Sequence, residues 1–470
     1  MDGTNLGIIT LIPALGFLVF ALVTKKCILS ILLSGILGYI FYYKAAFFIP
    51  MMDALLSASC DADNNYIVII CLLFGCFVQL LRQSKGAVAV GDLARRYIKS
   101  EKQVLFMTWL CGIVIFIDDY LSILVTANCV LSLSDEHKTP REMICYIINT
   151  TSAPVCLIIP ISAWVVFFSG IFEQQKEAAV VGDSAMSIYY HIMPYFFYPF
   201  LCVIFVLLVI LGVVPKMGGI KKAYQRVEET GQLWPPSSNM QNQGDELGEV
   251  MGAISDNKEK EEKEITPHLW AFIVPMAVVI IVTLWLGDIL YGVSCGIFAC
   301  FILFVPTKIM SLSKFCDNCY KGLEDMLFIA VVLVTSLFYR ESITLIGLPD
   351  YLIDVAGPYM SAAWLPAIAF ILVGIVCFAT GNIWSIPAVC TPIILPLAAS
   401  SGASIPLTLG AIISAACFGA QACFYSDVTL LSASACRINN VDYAIAQLPY
   451  IGIVTAISFI AYVIFGFAMS

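Results

Sequence analysis

Charge is what this chain has least of. Only 12% of its 470 residues are Asp, Glu, Lys or Arg, while 60% are hydrophobic. A soluble domain carries about twice that charge, and here the mean hydropathy is +0.92. The scarcity excludes a soluble multi-domain protein, a disordered chain and a disulfide-rich secreted one. Basic residues are outnumbered 24 to 33, so there is no electrostatic footprint for nucleic acid. Histidine is nearly missing: His137, His191 and His268 are the whole set. Each lies near the end of an apolar run, which removes a buried His relay. No P-loop or zinc signature occurs. The 18 cysteines mostly sit inside apolar runs, as small hydrophobes. The one Cys-x-x-Cys, Cys316 and Cys319, has no second pair nearby, whereas a metal site needs about four ligands. They read as two loop cysteines, and no cofactor is expected.

What is present is apolar sequence in runs near the 20 residues that a helix needs to cross a bilayer. Barrel strands would alternate in segments of about ten. The expected fold is an all-α polytopic membrane protein. Spans are expected at 7–24, 27–43, 64–81, 103–133, 189–214, 269–287, 290–306, 322–339, 361–398 and 446–469. The first run has no basic stretch before it and Lys25-Lys26 after it, the reverse of a cleaved signal peptide, so it reads as a retained span.

Two further apolar stretches, 143–171 and 405–435, are rich in Pro, Ser, Thr and small residues. If both enter and return on one side, the basic residues separate strongly. Nineteen of the 24 fall on the side of loop 216–268. Lys44, Lys138, Arg141, Lys176 and Arg340 fall on the other. By the positive-inside rule the loop is cytoplasmic and both termini are outside. The organisation expected is then a first membrane repeat over 1–215, a charged cytoplasmic linker over 216–268 and a second repeat over 269–470. Each half holds five spans and a re-entrant hairpin, about ten transmembrane helices in all. Five is odd, so the halves have inverted topology. Amphipathic connectors at 83–101 and 341–359 occupy matching places. Inverted repeats with helices broken at the midplane are a secondary-transporter architecture.

Four motifs carry polar groups into this apolar sequence. The sharpest is Asp118-Asp119, followed by Tyr120 and Ser122. An Asp at the centre of a membrane helix costs about 3 kcal/mol on the lenient scale, so the pair must face a cavity, an ion or a helix break. On an intact helix the two would point about 100° apart; local unwinding would let both converge. Adjacent carboxylates cannot both ionise cheaply and would titrate as a unit. A cation can replace the proton, which is the core of an ion/proton exchanger. The plainer alternative puts both at a membrane surface. The second motif is Asn149-Thr150-Thr151-Ser152-Ala153-Pro154. Irregular backbone at membrane depth survives where it lines a cavity, and these oxygens suit Na⁺; helix–helix glue is the alternative. The third is Gly381-Asn382-Ile383-Trp384, expected to break the ninth span, with Asn382 the counterpart of Asp118; a simple kink is the alternative. The fourth is Gly419-Ala420-Gln421-Ala422-Cys423-Phe424-Tyr425-Ser426-Asp427-Val428-Thr429, where Asp427 is a lone charge. Glu324 and Asp325 read as acids at a helix N-terminus.

With these residues in view, the chain resembles the NhaC family of Na⁺/H⁺ antiporters, within the ion-transporter superfamily. The resemblance rests on Ile117-Asp118-Asp119-Tyr120 with Asp135-Glu136-His137-Lys138, on Asn149 to Cys156 with Pro160 to Trp164, and on Ser426-Asp427-Val428-Thr429. It implies exchange within the bilayer, of Na⁺ against H⁺, with Na⁺ at Asp118, Asp119, Asn149, Thr150 and Asp427. Ser122, Thr151, Ser152, Gly381, Asn382, Trp384, Ser426 and Thr429 would complete the site. The chain departs from the pattern in three places. The family has an Asp where Asn149 stands, Thr-Ser-Trp-Gly at Gly381–Trp384, and Gly-Asp-His-Cys-Ser-Pro at Gly419–Phe424. The lost acids and His imply fewer protons per cycle, or a site that holds a small organic acid or amino acid coupled to Na⁺ or H⁺. The partners expected are the lipid bilayer of a plasma or bacterial inner membrane, Na⁺, H⁺ or a small organic solute, and no nucleic acid; a homo-oligomer is left open. An enzyme is not expected: an intramembrane aspartyl protease would carry Gly-x-Gly-Asp, absent at Asp427. No filter-like repeat suggests a channel.

Overall fold

The computed structural model describes residues 6–24, 27–60, 62–86, 98–238, 268–286, 288–356, 361–381, 383–424 and 426–470. Among them every regular element is helical. The first half holds α1 (Leu11–Thr24), α2 (Cys27–Tyr43), α3 (Phe48–Cys60), α4 (Ala62–Gln83), α5 (Glu101–Val114), α6 (Asp119–Glu136), α7 (Arg141–Thr151), α8 (Ala153–Ile158), α9 (Ala163–Glu173), α10 (Ala185–Ile192) and α11 (Phe197–Leu211). Helix α12 (Gly218–Thr230) follows. The second half holds α13 (Trp270–Leu286), α14 (Ile289–Phe304), α15 (Leu312–Leu345), α16 (Leu348–Ala356), α17 (Leu365–Thr380), α18 (Ser385–Ser401), α19 (Ile405–Ala422), α20 (Asp427–Ala435) and α21 (Asn440–Met469). Four helices are long and apolar enough to cross a bilayer alone: Ile28–Ala46, Leu312–Leu345, Ile405–Ala422 and Asn440–Met469; two bent pairs raise this to six.

Helix α21 is a ruler for the molecule. Its 30 residues extend about 45 Å at 1.5 Å per residue. At its start, Asn439 N donates to Ser238 Oγ at 3.0 Å, and Ser237 bonds to Asp442. At its other end, Trp364 packs edge-on to Phe467 at 5.7 Å.

Against this ruler the chain folds back at two places where the sequence predicts a single span. Helix α5 begins at the 216–238 end, where Glu101 accepts from Tyr224 Oη at 2.5 Å. Helix α6 ends there too: Asp135 pairs with Arg141 at 2.7 Å, Arg141 N donates to Leu233 O at 3.0 Å, and Glu142 pairs with Arg226 at 2.7 Å. Two helices of 14 and 18 residues would span about 48 Å if collinear. To start and finish beside α12 they must fold back at 115–118. So 101–136 folds back on itself where one straight span is expected. The stretch 141–173, expected to re-enter, is a helix pair bent by 45°, which fits one broken span or a re-entrant loop. Its chain continues to Tyr195, whose carbonyl accepts from Tyr462 Oη at 2.7 Å, far along α21.

The second half behaves alike. Helix α17 starts beside Phe467, and the chain leaving α18 reaches Gly410, whose carbonyl also accepts from Tyr462 Oη, at 2.9 Å. Thus 365–401 folds back at 381–384. The stretch 405–435 instead runs from the Tyr462 level to Asn439 beside Ser238, the full length of the ruler.

Tight crossings hold the elements. Gly75 of α4 and Gly322 of α15 meet backbone to backbone, leaving no room for a Cβ on either, as membrane helix interfaces favour. The Cys76 thiol donates to Cys319 O at 3.1 Å beside them. Cys316 and Cys319 are therefore on a helix and not in a loop. Helix α15 runs 34 residues, so Asp325 sits in its interior and not at an N-terminus. The segment expected as linker begins with a docked helix: α12 buries Ile220, Ala223 and Val227. Lys25, Lys26, Arg95, Arg96, Asn382 and residues 239–267 lie outside the described residues, as does most of the 83–101 connector.

Candidate functional site

The two hairpin turns and the two helix breaks face one another inside the protein. Asp118 is the N-cap of α6, and its Oδ1 accepts from Leu121 N at 2.7 Å. This is ordinary capping chemistry, and it explains why the helix restarts here. The same carboxylate lies 3.7 Å from Arg82 Nη2 of α4, and the other arm of that guanidinium lies 3.8 Å from Asp325. Arg82, read from the sequence as one of a basic run in a loop, is the counter-charge of Asp118.

Asp119 faces elsewhere, so the two carboxylates do not converge on one point. It is 3% exposed. Its Oδ1 accepts from Tyr120 N at 3.1 Å, while Oδ2 has no hydrogen-bond partner among the described residues. The indole N–H of Trp164, on α9, likewise has no hydrogen-bond partner among the described residues. Next to it, Tyr120 donates its hydroxyl to Asp427 Oδ2 of α20. Asp427 and Asp119 are close enough to feel each other's charge. The lone acid of the second half is thus delivered to the acid pair of the first. Among the described residues neither Asp119 nor Asp427 has an ion-pair partner.

The other turn contributes an aromatic wall. Trp384 precedes α18 and lies on Trp164, with ring centroids 4.4 Å apart, and edge-on to Phe167 at 5.0 Å. Gly381 ends α17 with φ of 65°, a left-handed conformation that glycine adopts freely. Asn382, the expected partner of Asp118, lies outside the described residues.

Asn149 and Thr150 do not join the carboxylates; they form a second, neutral cluster. Asn149 Nδ2 donates to Tyr443 Oη at 2.8 Å and to Gln447 Oε1 at 3.3 Å. Gln421 Nε2 donates to Thr150 Oγ1 at 2.7 Å, and its Oε1 accepts from Tyr198 Oη at 2.7 Å. Gln447 Nε2 donates to Gln421 O at 2.8 Å. The remaining expected ligands serve backbone groups. Thr151 Oγ1 donates to Ile147 O at 2.8 Å and Ser152 Oγ to Asn149 O at 3.1 Å. Ser426 caps α20 and donates to Ala420 O at 2.6 Å; Thr429 Oγ1 lies 3.2 Å from Ala420 O and Gln421 O. Ser122 is buried in the first turn of α6. Among the described residues no three of His, Cys, Asp and Glu gather as a metal site. Sequence reasoning missed Arg82, Tyr120, Trp164, Gln421, Tyr443 and Gln447 as members of the site. Tyr120 and Trp164 lay within quoted motifs; Gln447, a lone amide in an apolar run, was the signal overlooked.

Comparison with known proteins fits this geometry. The family model described as the Na⁺/H⁺ antiporter family matches residues 155–467. The chain belongs to this family. It is a multi-pass membrane protein and a secondary transporter. The match covers Trp164, Trp384, Gln421 and Asp427 and begins beyond Asp118 and Asp119. An uncharacterized protein of Haemophilus influenzae is 23% identical, over 98% of this chain and 91% of its own length. The solved structure of Neisseria gonorrhoeae MtrF, described with a class of antimetabolite efflux pumps, superposes with a TM-score of 0.56 at 12% identity. It covers 91% of this chain and 86% of MtrF. At that identity the likeness is one of fold.

Proposed function

We propose that the protein is a Na⁺/H⁺ antiporter of the NhaC type, in which Asp119 and Asp427 take Na⁺ or protons in turn under alternating access. One observation carries this: Tyr120, next to Asp119, bonds Asp427 of the other half; among the described residues neither acid has an ion-pair partner, and one oxygen of Asp119 is unbonded. A buried carboxylate without a counter-charge is costly; a proton or a Na⁺ removes the cost, and each excludes the other. Asp118 is already balanced by Arg82 and sets the hairpin turn.

The topology that supports this reading has ten crossings and two hairpins, in two inverted halves. Crossings α1, α2, α4, α7–α9 and α11 answer to α13, α14, α15, α19–α20 and α21, and hairpin 101–136 answers to 365–401. The halves share a further detail. Gly112 of α5 abuts Thr151 of the first broken crossing, and Cys377 of α17 abuts Gly419 of the second. Folding 101–136 back also moves Lys138 and Arg141 to the side of 216–268. Only Lys44, Lys176 and Arg340 of the 24 basic residues then stay opposite, which strengthens the cytoplasmic placement of that loop.

A second reading keeps the scaffold and moves a small organic acid or amino acid with Na⁺ or H⁺. The neutral amide cluster around Gln421 favours it, since that half of the interior holds no titratable acid or His. The deciding experiment uses purified protein in liposomes with a trapped pH dye. A Na⁺ gradient is expected to drive a pH change in wild type and none in Asp119→Asn. Full activity in both Asp119→Asn and Asp427→Asn would overturn the assignment.

A further inference from the structure

A cavity of about 620 Å³ lies between α2, α3, α15, α16, α18 and the chain just beyond α9. Five charged side chains line it: Lys176, Glu177, Arg340, Glu341 and Asp350. The topology above leaves only three basic residues on the face away from 216–238, and this cavity holds two of them. Bases are scarce on such a face, and pairing with the neighbouring acids would be the plain reason for them. Yet among the described residues no ion pair joins Lys176, Glu177, Glu341 or Asp350 to any partner. Arg340 donates to the carbonyl of Gln174, two residues before Lys176, which holds α15 against the chain that carries the second cation. Tyr43 lines the cavity and stacks on Tyr39, with centroids 6.3 Å and planes 9° apart; it is 36% exposed. Pro392 and Pro396, inside α18, line it as well. Pro396 brings no N–H to the carbonyl of Pro392 one turn earlier, so that oxygen can take a ligand's N–H. We propose that this cavity is an outer docking site for a zwitterion, an amino acid with an aromatic side chain. Its carboxylate lies on Lys176 and Arg340, its ammonium on Glu341, Asp350 and the Pro392 carbonyl, and its ring on Tyr43, where offset stacking is favourable. A solute with both charges uses both sets of side chains, whereas a plain anion meets three acids and a plain cation two bases, which is discrimination by repulsion. The site is separate from Asp119 and does not depend on what is exchanged there. It gives the second reading a point of entry, because an occupant touches α18, the helix that begins at the Trp384 turn.

The test is thermal stability of the purified full-length protein in detergent, at constant ionic strength, titrated with three probes of one shape. L-phenylalanine carries both charges, 3-phenylpropionate lacks the ammonium and phenethylamine lacks the carboxylate. L-phenylalanine is expected to raise the melting temperature of wild type at a concentration about fivefold below that of either other probe, the gain of one solvent-accessible charge contact. Lys176→Gln is expected to weaken the responses to L-phenylalanine and 3-phenylpropionate about fivefold and to spare that to phenethylamine. Glu341→Gln is expected to weaken those to L-phenylalanine and phenethylamine and to spare that to 3-phenylpropionate. No response to L-phenylalanine, or an equal response to all three probes, would overturn the proposal. So would an L-phenylalanine response that both variants keep in full, or one that Asp119→Asn abolishes, since either places the binding elsewhere. Na⁺-driven pH change in liposomes reads the exchange site independently, so the two assignments can fail separately. The comparison of probes on wild type needs no variant, so a poorly folded mutant does not blunt the test.

Discussion

Arg82→Gln tests the division of labour among the three interior carboxylates. Arg82 Nη2 is 3.7 Å from Asp118, whose side chain is 6% exposed; the 3.8 Å contact to Asp325 involves a carboxylate 43% exposed. The exposed contact is screened by water and contributes about 0–1 kcal/mol. The buried one is different. At an effective dielectric of 20 and a separation near 4 Å, two unit charges attract by about 4 kcal/mol. Removing one partner of a buried pair usually costs about 3–5 kcal/mol, because the other charge is left without compensation. Arg82→Gln is therefore expected to lower stability by about 3 kcal/mol at neutral pH. Asp118→Asn keeps the cap, since an amide oxygen still accepts from Leu121 N, but it strands Arg82 and is expected to cost a similar amount. The double variant removes both charges and should lie within about 1 kcal/mol of wild type. The coupling energy from this cycle, read by reversible unfolding in mixed micelles, is expected to be about 5–6 kcal/mol in magnitude, about 3 from each single variant less at most about 1 for the double. Additivity within about 0.5 kcal/mol would refute the pairing. In liposomes the double variant should retain Na⁺-driven exchange, because Asp119 and Asp427 are intact; loss of exchange with stability restored would place Asp118 among the groups that bind cargo.

The packing and the topology allow three more checks. Gly322→Ala puts a methyl against the Gly75 backbone, which has no side chain to yield; a loss of about 1–3 kcal/mol and a lower melting temperature are expected, and an unchanged melting temperature would contradict the α4–α15 crossing. Gln421→Leu leaves the buried hydroxyls of Tyr198 and Thr150 without their partner, at about 1–3 kcal/mol for each orphaned group; near-neutral stability would show that the neutral cluster does not hold the two broken crossings together. Single cysteines at Lys102, Lys138 and Glu229, in a background lacking accessible native cysteines, should react with a membrane-impermeant maleimide from the same face, and one at Ser400 from the opposite face. Labelling of Lys138→Cys from the Ser400 face would restore 103–133 as a span.

Part of this architecture was legible because it follows from energy per residue. A charge inside a 20-residue apolar run has few affordable places, so Asp118, Asp119 and Asp427 announced themselves, and the helix breaks beside them followed. The all-helical fold had the same origin. The contents of the site were less legible. Polar side chains in the two broken motifs are expected as cation ligands; in the fold Thr151, Ser152, Ser426 and Thr429 also donate to backbone carbonyls, which the sequence does not announce. A hydroxyl near a helix break has a partner within its own turn or its neighbour's, and that local bond forms ahead of any distant one. Arg82 was hidden for the opposite reason. It sits among bases at a helix end, where a cation needs no explanation, and only the fold brings Asp118 across to it.

The exchange of hairpin and crossing has a sharper cause, and it bears on how far charge can fix topology. A half that crosses at 103–133 and re-enters at 143–171 has the same number of crossings as one that re-enters at 101–136 and crosses at 141–173. Every loop outside 134–142 keeps its side, and the second half behaves alike around 402–404, which carries no charge at all. The positive-inside rule therefore had two residues, Lys138 and Arg141, with which to separate the alternatives. Both favour the second arrangement, in which they join the basic side. What decides between the arrangements is tertiary: Glu101 with Tyr224, and Glu142 with Arg226, place both ends of the first hairpin on one amphipathic helix. That helix was read as solvated linker because four of its thirteen residues are Lys, Arg or Tyr at polar positions and two are Glu. Its buried stripe of Ile220, Ala223 and Val227, spaced at i, i+3 and i+7, is the helical period of a packed face. That stripe docks 216–230 on the protein, and the Arg226–Glu142 ion pair and the Tyr224–Glu101 hydrogen bond hold the two ends of 101–136 beside it.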